Sequence, residues 1–406
     1  MTGGLLQLAF KGPQDIYLTG NPQMTFFKSV YKQHSNFTKD TQLLQFENDI
    51  KLGTNHYCVI KRYGDLLSNL YLYIELPEIT SADSNETWKG YVNGVGYSII
   101  KSISLDIGGL IIDKLDYTWL DIYNELYDQK SDDLIGKFNT DISLQENSNS
   151  KKLYIPLKFW FTKNPGLSIP LIALQYHEIK INIEFKNWNE IIKSNISNFI
   201  TTNTKIKAHI IADYIHLDDN EKKFFTATNH EYLIEQLQIL SEYDITNNTT
   251  TAKVPLDFSH PIKEIVWVIA DNVNHSQNTK TGNNWLSYTS ISSSYGDTFT
   301  TAKITMNGLD RTNDMSCEYY RQVIPYESYT YLPRKYIYCY SFSLNPTQFQ
   351  PSGSCNYSKI NKSYLQINFN PINNIGGTTN GRIKIYGTNY NILSIKQGMG
   401  GVLFMN

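Results

Sequence analysis

Hydrophobic and polar positions alternate with a period of two along much of this chain. Leu70, Leu72, Ile74 and Leu76 are separated by Tyr71, Tyr73 and Glu75, and Pro77 ends the run, the pattern of a strand with one buried face. Ile103, Leu105 and Ile107 alternate with Ser102, Ser104 and Asp106. Gly108-Gly109 follows, a pair suited to a tight hairpin turn. The cleanest alternation is Ile179, Ile181, Ile183 and Phe185 against Lys180, Asn182, Glu184 and Lys186. Further on, Tyr336, Tyr338, Tyr340, Phe342 and Leu344 are expected to share one strand face, as are Leu365, Ile367 and Phe369. Helical spacing is scarce: Trp119, Ile122, Tyr123 and Leu126 predict one short amphipathic helix after the Gly-Gly turn. The pattern predicts an all-β chain with short helices confined to loops.

No repeat of the length used by propellers or solenoids is visible, but a much longer one is. Phe161-Thr-Lys-Asn164-Pro165 is followed by Pro170 and then the strand Lys180–Phe185. Phe342-Ser-Leu-Asn345-Pro346 is followed by Pro351 and then Leu365–Phe369, the two Asn-Pro pairs lying 181 residues apart. Upstream of each lies a second echo. Leu105-Asp-Ile-Gly-Gly109 precedes Asp116-Tyr117, and Ile304-Thr-Met-Asn-Gly308 precedes Asp314 and Tyr319-Tyr320. Proline marks loops and edges because it cannot donate to a central ladder. Four weak signals in the same order predict a duplicated β domain. Asp218-Asp-Asn-Glu-Lys-Lys223 interrupts the strand pattern, placing the boundary near Leu217 to Phe225. The expected division is an arm over residues 1–24, a first domain over 25–217 and a second over 218–406.

At 406 residues each half is long enough to bury its own core. The net charge is −2 and the basic residues are scattered, as at Lys151-Lys152 and Lys222-Lys223. Direct nucleic-acid binding is not expected, since phosphate neutralisation needs a basic stripe or tail. The four cysteines, Cys58, Cys317, Cys339 and Cys355, show neither pairing nor clustering with histidine and are expected as free thiols in a reducing cytoplasm. The first ten residues lack a secretory pattern, and no stretch approaches the ~20 apolar residues of a membrane span. Eight N-x-[ST] sequons, at Asn36, Asn85, Asn195, Asn247, Asn248, Asn274, Asn356 and Asn361, fit chance in an Asn- and Thr-rich chain, and their glycosylation is not expected.

Catalytic and metal chemistry find no foothold, so no catalytic, cofactor-binding or metal residue is assigned. There is no phosphate-binding P-loop and no nucleophile elbow. Gly398-Met-Gly-Gly401 lacks the third glycine and the helix of a dinucleotide loop and reads as a C-terminal turn. His209, Asp213 and His216 are close in sequence, but on a strand the third points away from the first two. His177-Glu178 reads as a hydrogen-bonded loop pair, and Asp310 to Asp314 fails the EF-hand pattern. Trp160, Phe161, Phe342 and Phe369 are the candidate core aromatics, each worth roughly 3–5 kcal/mol against alanine when fully buried. Phe342→Ala is expected to lower the yield of folded protein.

Several long segments carry a family resemblance. They are Gly3 to Leu8, Asp15 to Gln23 and Thr25 to Lys28 at the start, and Pro156 to Phe185 with Phe159-Trp-Phe161 and Pro170 to Glu178. Tyr340 to Phe342, Gln350 to Gly353, Cys355 to Ser358, Asn389 to Leu393 and Gly398 to Gly401 complete the set. Together they resemble the major capsid proteins of the nucleocytoplasmic large DNA viruses, of phycodnavirus, mimivirus and iridovirus type, nearly end to end. The resemblance implies a double jelly roll, two eight-stranded antiparallel β-sandwich barrels in tandem. It also implies a homotrimeric capsomer of pseudo-sixfold outline in an icosahedral shell, with no enzymatic activity. The implied partners are neighbouring capsomers, with minor capsid proteins and the inner membrane side at the capsomer base, where the N-terminal arm would lie. The genome is not contacted directly. The polar stretch Thr281 to Thr301 falls where such loops form outer towers, and its surroundings leave a host-surface glycan as a further partner. Two other readings compete: a minor capsid paralogue of the same fold, and a glycan-binding jelly roll.

Overall fold

The computed structural model describes residues 3–10, 12–80, 89–137, 148–194, 206–246, 249–275, 283–289, 296–369 and 380–405. The chain divides into two compact units, Met1–Phe37 and Thr38–Asn406. In the first, short helices at Gly3–Ala9 and Asp15–Thr19 precede irregular chain. Tyr17, Leu18, Phe26 and Phe27 stand almost wholly exposed there.

The first group of strands is β1 (Phe37–Leu44), β2 (Asn55–Ile60), β3 (Leu66–Leu76), β4 (Lys89–Tyr91), β5 (Ile100–Ile107), β6 (Leu110–Asp116), β7 (Lys151–Pro156), β8 (Ile169–Pro170), β9 (Ile179–Phe185), β10 (Ile192–Ser194) and β11 (Lys207–Leu217). A helix at Asp219–Ala227, capped by the Asp218 carboxylate on the Glu221 amide (3.0 Å), leads into the second group. That group is β12 (His230–Ile239), β13 (Tyr243–Ile245), β14 (Thr251–Pro255), β15 (Pro261–Asp271), β16 (Thr301–Met306), β17 (Leu309–Asp310), β18 (Met315–Ser316), β19 (Ile337–Ser341), β20 (Cys355–Asn356), β21 (Ser363–Asn368), β22 (Gly381–Lys396) and β23 (Met399–Val402).

The two groups share one topology. The first builds sheets β1-β11-β3-β7 and β2-β9-β5-β6; the second builds β12-β22-β15-β19 and β14-β21-β16-β17. Counting the eight principal strands of each group in chain order, both sandwiches read 1-8-3-6 and 2-7-4-5. That order, with antiparallel pairing along β11-β3-β7, β2-β9-β5-β6 and both sheets of the second group, is a jelly roll, so the protein is a double jelly roll with helices in its loops. The sequence echoes fall on equivalent connections. Gly108-Gly109 and Asn307-Gly308, all at positive φ, join the fourth and fifth strands of each barrel. The two Asn-Pro loops join the sixth and seventh.

Most of the expected strand faces are present. Leu70, Leu72, Ile74 and Leu76 on β3, and Ile179 to Phe185 on β9, alternate buried and half-buried. Their inward side chains share one core with Ile103, Leu105 and Ile107 of β5. Two expectations need correction. The face from Tyr336 to Leu344 stops early: β19 ends at Ser341, Phe342 is half-buried, and Leu344 is 78% exposed. The chain leaves the sheet where the Phe342 and Ser343 amides both turn onto the Lys263 carbonyl (2.8 and 3.2 Å). The helix marked by Trp119 spans Tyr117–Tyr123 and continues as a π-helical turn over Asn124–Asp128. It is not amphipathic, because Thr118 and Asp121 are buried along with Trp119 and Ile122.

The second core explains which aromatic side chain matters most. Trp267 is fully buried and packs on Tyr320 and Tyr338 at centroid distances of 5.1 and 6.1 Å. Trp267→Ala is therefore expected to cost roughly 3–5 kcal/mol, and Phe342→Ala distinctly less. Urea denaturation of both variants checks this; equal losses would contradict the strand end at Ser341.

Candidate functional site

Among the described residues, the largest concentration of buried charge lies where the two barrels meet. It begins at Asp116, which ends β6 and caps the following helix by accepting from the Trp119 amide (2.8 Å). Its second oxygen accepts from the Tyr386 hydroxyl on β22 (2.8 Å), and Lys384 lies 3.9 Å away. One helical turn on, fully buried Asp121 takes Lys335 (2.6 Å) and the Tyr288 hydroxyl (2.9 Å). Next comes Glu125 in the π-helical turn, also fully buried. Arg334 reaches it at 3.0 Å and also holds Asp132 at 2.8 Å, while Lys137 pairs with Glu125 from its own barrel. Burial alone would raise the Glu125 pKa, but Lys137 and Arg334 outweigh it and hold the group below its usual range.

A second cluster lies beside β15. Glu264 accepts from the hydroxyls of Tyr127, in the first barrel, and Tyr329, in the second. Burial first, then the nearby Glu264 charge, pushes both phenols well above their usual value. Glu235 on β12 is bracketed by Lys163 of the first barrel (2.8 Å) and Lys263 of its own. Burial opposes its ionisation, yet the two ammonium groups bring its pKa down to about 2. Tyr127, Lys163, Glu235 and Lys263 border a cavity of about 280 Å³ between the two Asn-Pro loops, with Asn164 and Pro346 in its wall.

Apolar contact joins the charged clusters. Val266 and Val268 of β15, Ile337 and Cys339 of β19, and Tyr386 of β22 belong to the first barrel's core cluster, whereas Trp267, Tyr338 and Ile385 belong to the second's. The outer face of β12-β22-β15-β19 is therefore buried against the first barrel. A loop of the second barrel adds a clasp: Asn283 donates to the carbonyls of Asn189 and Ile192 (2.7 and 2.9 Å), and Trp285 to that of Glu190 (2.7 Å). Lys186 is held there between the rings of Tyr117 and Trp285, 3.5 and 3.8 Å from their centroids.

The residues singled out as chemical candidates are dispersed into structural roles. His209 stacks on Tyr73 (4.6 Å). Asp213 binds Lys39 (2.7 Å) and accepts from Thr41 and Asn69. The β3–β11 register slips between Asp213 and Tyr214. His177 and Glu178 do not pair with each other. The Gly400 amide donates to His177 Nδ1 (3.2 Å), and the Glu178 carbonyl accepts from Gly108. Among the described residues, one trio of potential metal ligands converges, Asp297, Cys317 and Glu318. Arg321 and Tyr338 already occupy the Asp297 carboxylate (2.8 and 2.9 Å), so its charge is spent. All four cysteines are free thiols. The sequons at Asn85, Asn195, Asn247 and Asn248 lie outside the described residues; Asn274 is buried and donates to Thr289. No helix among the described residues is long and apolar enough to cross a membrane. Sequence reasoning missed the seam charges because their partners across the barrels are 72 to 270 positions apart.

Comparison with known proteins places this architecture. Residues 25–218 match the family model described as major capsid protein N-terminus, and residues 221–401 match that of the large eukaryotic DNA virus major capsid protein. The chain is 34% identical to the major capsid protein of Pyramimonas orientalis virus and 33% identical to that of Paramecium bursaria Chlorella virus 1, each covering all of both chains. The solved VP54 of the latter virus superposes with a TM-score of 0.78 at 27% identity, over 94% of this chain and 100% of that one. The Faustovirus major capsid protein shares the fold, with a TM-score of 0.77 at 12% identity over 95% and 94% of the two chains.

One titration is exposed by the seam. Asp113 of β6 is buried and accepts from the Leu237 amide of β12 (3.0 Å) across the barrels. Burial lifts its pKa to about 6. The unfolded carboxyl loses its proton near pH 4, so its protonated native form favours folding at low pH. That contribution is lost as pH rises from about 4 to 6, on the order of 2–3 kcal/mol. Asp113→Asn should thus be at least as stable as the parent at pH 7.5, with the gap closing towards pH 4. Chemical denaturation at both pH values tests it; an equal loss at both would refute the assignment.

Proposed function

Because this chain belongs to the major capsid protein family of large eukaryotic DNA viruses, we propose that three copies join into one capsomer of pseudo-sixfold outline. The protein is a structural component of the virion capsid. The observation that carries the trimer reading is the repeated strand order, since two like barrels per chain give three chains six similar barrels. In this reading residues 1–24 are the arm, 25–217 the first barrel and 218–406 the second. The chain is made and assembled in the host cytoplasm and performs no catalysis. Neighbouring capsomers meet its sides, and minor capsid proteins and the inner membrane side meet its base. A near-neutral charge of −2 supports a shell that does not touch the genome.

Large apolar side chains on the arm, among them Leu8, Phe10, Ile16 and Leu18, are exposed, which supports a role in contacts outside the chain. The test is the native mass of the purified protein by light scattering, with negative-stain images of the peak. A 46.7 kDa chain is expected as a particle of about 140 kDa with a hexagonal outline; a folded monomer would overturn the reading. Deleting Met1 to Gln23 is expected to leave that mass to within the missing segment while impairing shell assembly. Normal shells from the truncated chain would remove the arm from assembly.

A further inference from the structure

A cleft of about 870 Å³ lies between the barrels, walled by side chains of β5, β6 and β9 on one and of β12 and β22 on the other. Among the described residues, four lysines line it. Lys101 pairs with Glu184 (2.7 Å), and Lys384 pairs with Glu242 (3.1 Å) and lies 3.9 Å from Asp116. Lys114 is exposed. Lys186 differs from all three: it is only 3% exposed, and its Nζ has no hydrogen-bond partner among the described residues. The two carboxylates that act on it are engaged elsewhere. Glu190 accepts from the Asn187 amide (2.8 Å), and Asp116 from the Trp119 amide and the Tyr386 hydroxyl (2.8 Å each). The wall's remaining carboxylate, Asp257, is exposed. The rings of Tyr117 and Trp285 enclose the Lys186 ammonium at 3.5 and 3.8 Å. They offset part of the cost of its burial, yet they give its N–H groups no oxygen to bond, and a buried charge without such a partner is costly. Burial pulls its pKa well below the usual lysine value. Glu190 and Asp116 offset this only in part, because Lys384 and Lys101 act in the other direction.

We propose that this cleft is a binding site for an oxyanion, a sulfate, phosphate or carboxylate group, which bonds the Lys186 ammonium. The lysine stem is flexible enough for the ammonium to lean from between its rings towards the anion. An oxyanion supplies the acceptor atoms that the fold leaves out and stabilises the charged form of the amine. Lys114 adds a second positive charge on the same wall. Tyr117 and Trp285 supply apolar surface beside these charges, the combination found where ligands bind. The cleft is far larger than one such ion, so the oxyanion is either free or the charged group of a larger molecule.

Titration calorimetry of the full chain with sulfate tests this, with chloride at the same ionic strength as the control. Sulfate keeps one charge state around neutral pH, so any pH dependence belongs to the protein. Heat of binding is expected with sulfate and not with chloride. The anion needs the ammonium form, so binding takes up a proton wherever the free amine is neutral, and affinity is expected to fall from pH 7 to pH 9. Lys186→Met loses a buried charge at similar volume. It is expected to melt no lower than the parent and to bind sulfate about tenfold more weakly, or worse. Glucose 6-sulfate separates the two sources. Tighter binding than sulfate assigns the charged group of a larger molecule; equal or weaker binding assigns the free ion. A parent that binds neither probe, or a Lys186→Met chain that binds as the parent does, overturns the site. Should that variant not fold, the parent decides alone: an affinity that does not fall between pH 7 and pH 9 removes Lys186 from the site.

Discussion

Burial of β15 on both of its faces is the constraint on which the rest of the structure depends. Ile265, Trp267 and Ile269 point into the second barrel, and Val266 and Val268 point into the first barrel's core. A jelly-roll sheet ordinarily offers its outer face to water and carries polar side chains there. Here that face holds Val266, Val268, Ile337, Cys339 and Tyr386, each buried, and a buried aliphatic side chain contributes roughly 1.5–3 kcal/mol. A second barrel released from the first would expose them together. The barrels therefore form one compact unit from Thr38 onward, despite their separate sheets.

Charge at this seam acts on arrangement more than on adhesion. Taking Glu125 and Asp121 out of water costs about as much as their partners return. What the pairs impose is an orientation. A shift of one barrel against the other would leave Glu125 without Arg334, Asp121 without Lys335 and Asp113 without the Leu237 amide. An uncompensated buried carboxylate costs several kcal/mol, so few packings of the two barrels are tolerated. A capsid shell needs that rigidity, because an angular error between barrels would be repeated in every chain.

What the sequence reveals follows from which faces meet water. β3, β5, β9 and β21 have one half-exposed face, so their alternation is plain in the residues, and so is the Gly-Gly hairpin. β15 has no exposed face and reads as the unbroken run Ile265-Val-Trp-Val-Ile269, interrupted on its N-terminal side by Lys263 and Glu264, which are themselves buried. Periodicity is silent on such a strand. The helix at Trp119 was legible from its apolar positions, but Thr118 and Asp121 suggested a wet side that the second barrel covers. Leu344 failed in the opposite sense, keeping the right parity after the chain had already left the sheet. Seam partners such as Asp116 and Tyr386 were not legible, because nothing local links residues 270 positions apart.

The duplication itself was legible. The echoes that survive between the halves are turn and loop residues, Gly108-Gly109 against Asn307-Gly308 and Asn164-Pro165 against Asn345-Pro346, because strand order depends on them. The outer faces have diverged: that of the first barrel carries Tyr71, Tyr73 and Tyr154, and that of the second carries Val266, Val268 and Cys339. Aliphatic side chains suit a contact formed once, during folding. Tyrosines, with an apolar ring and a polar tip, suit a face left partly wet, as Tyr73 and Tyr154 are.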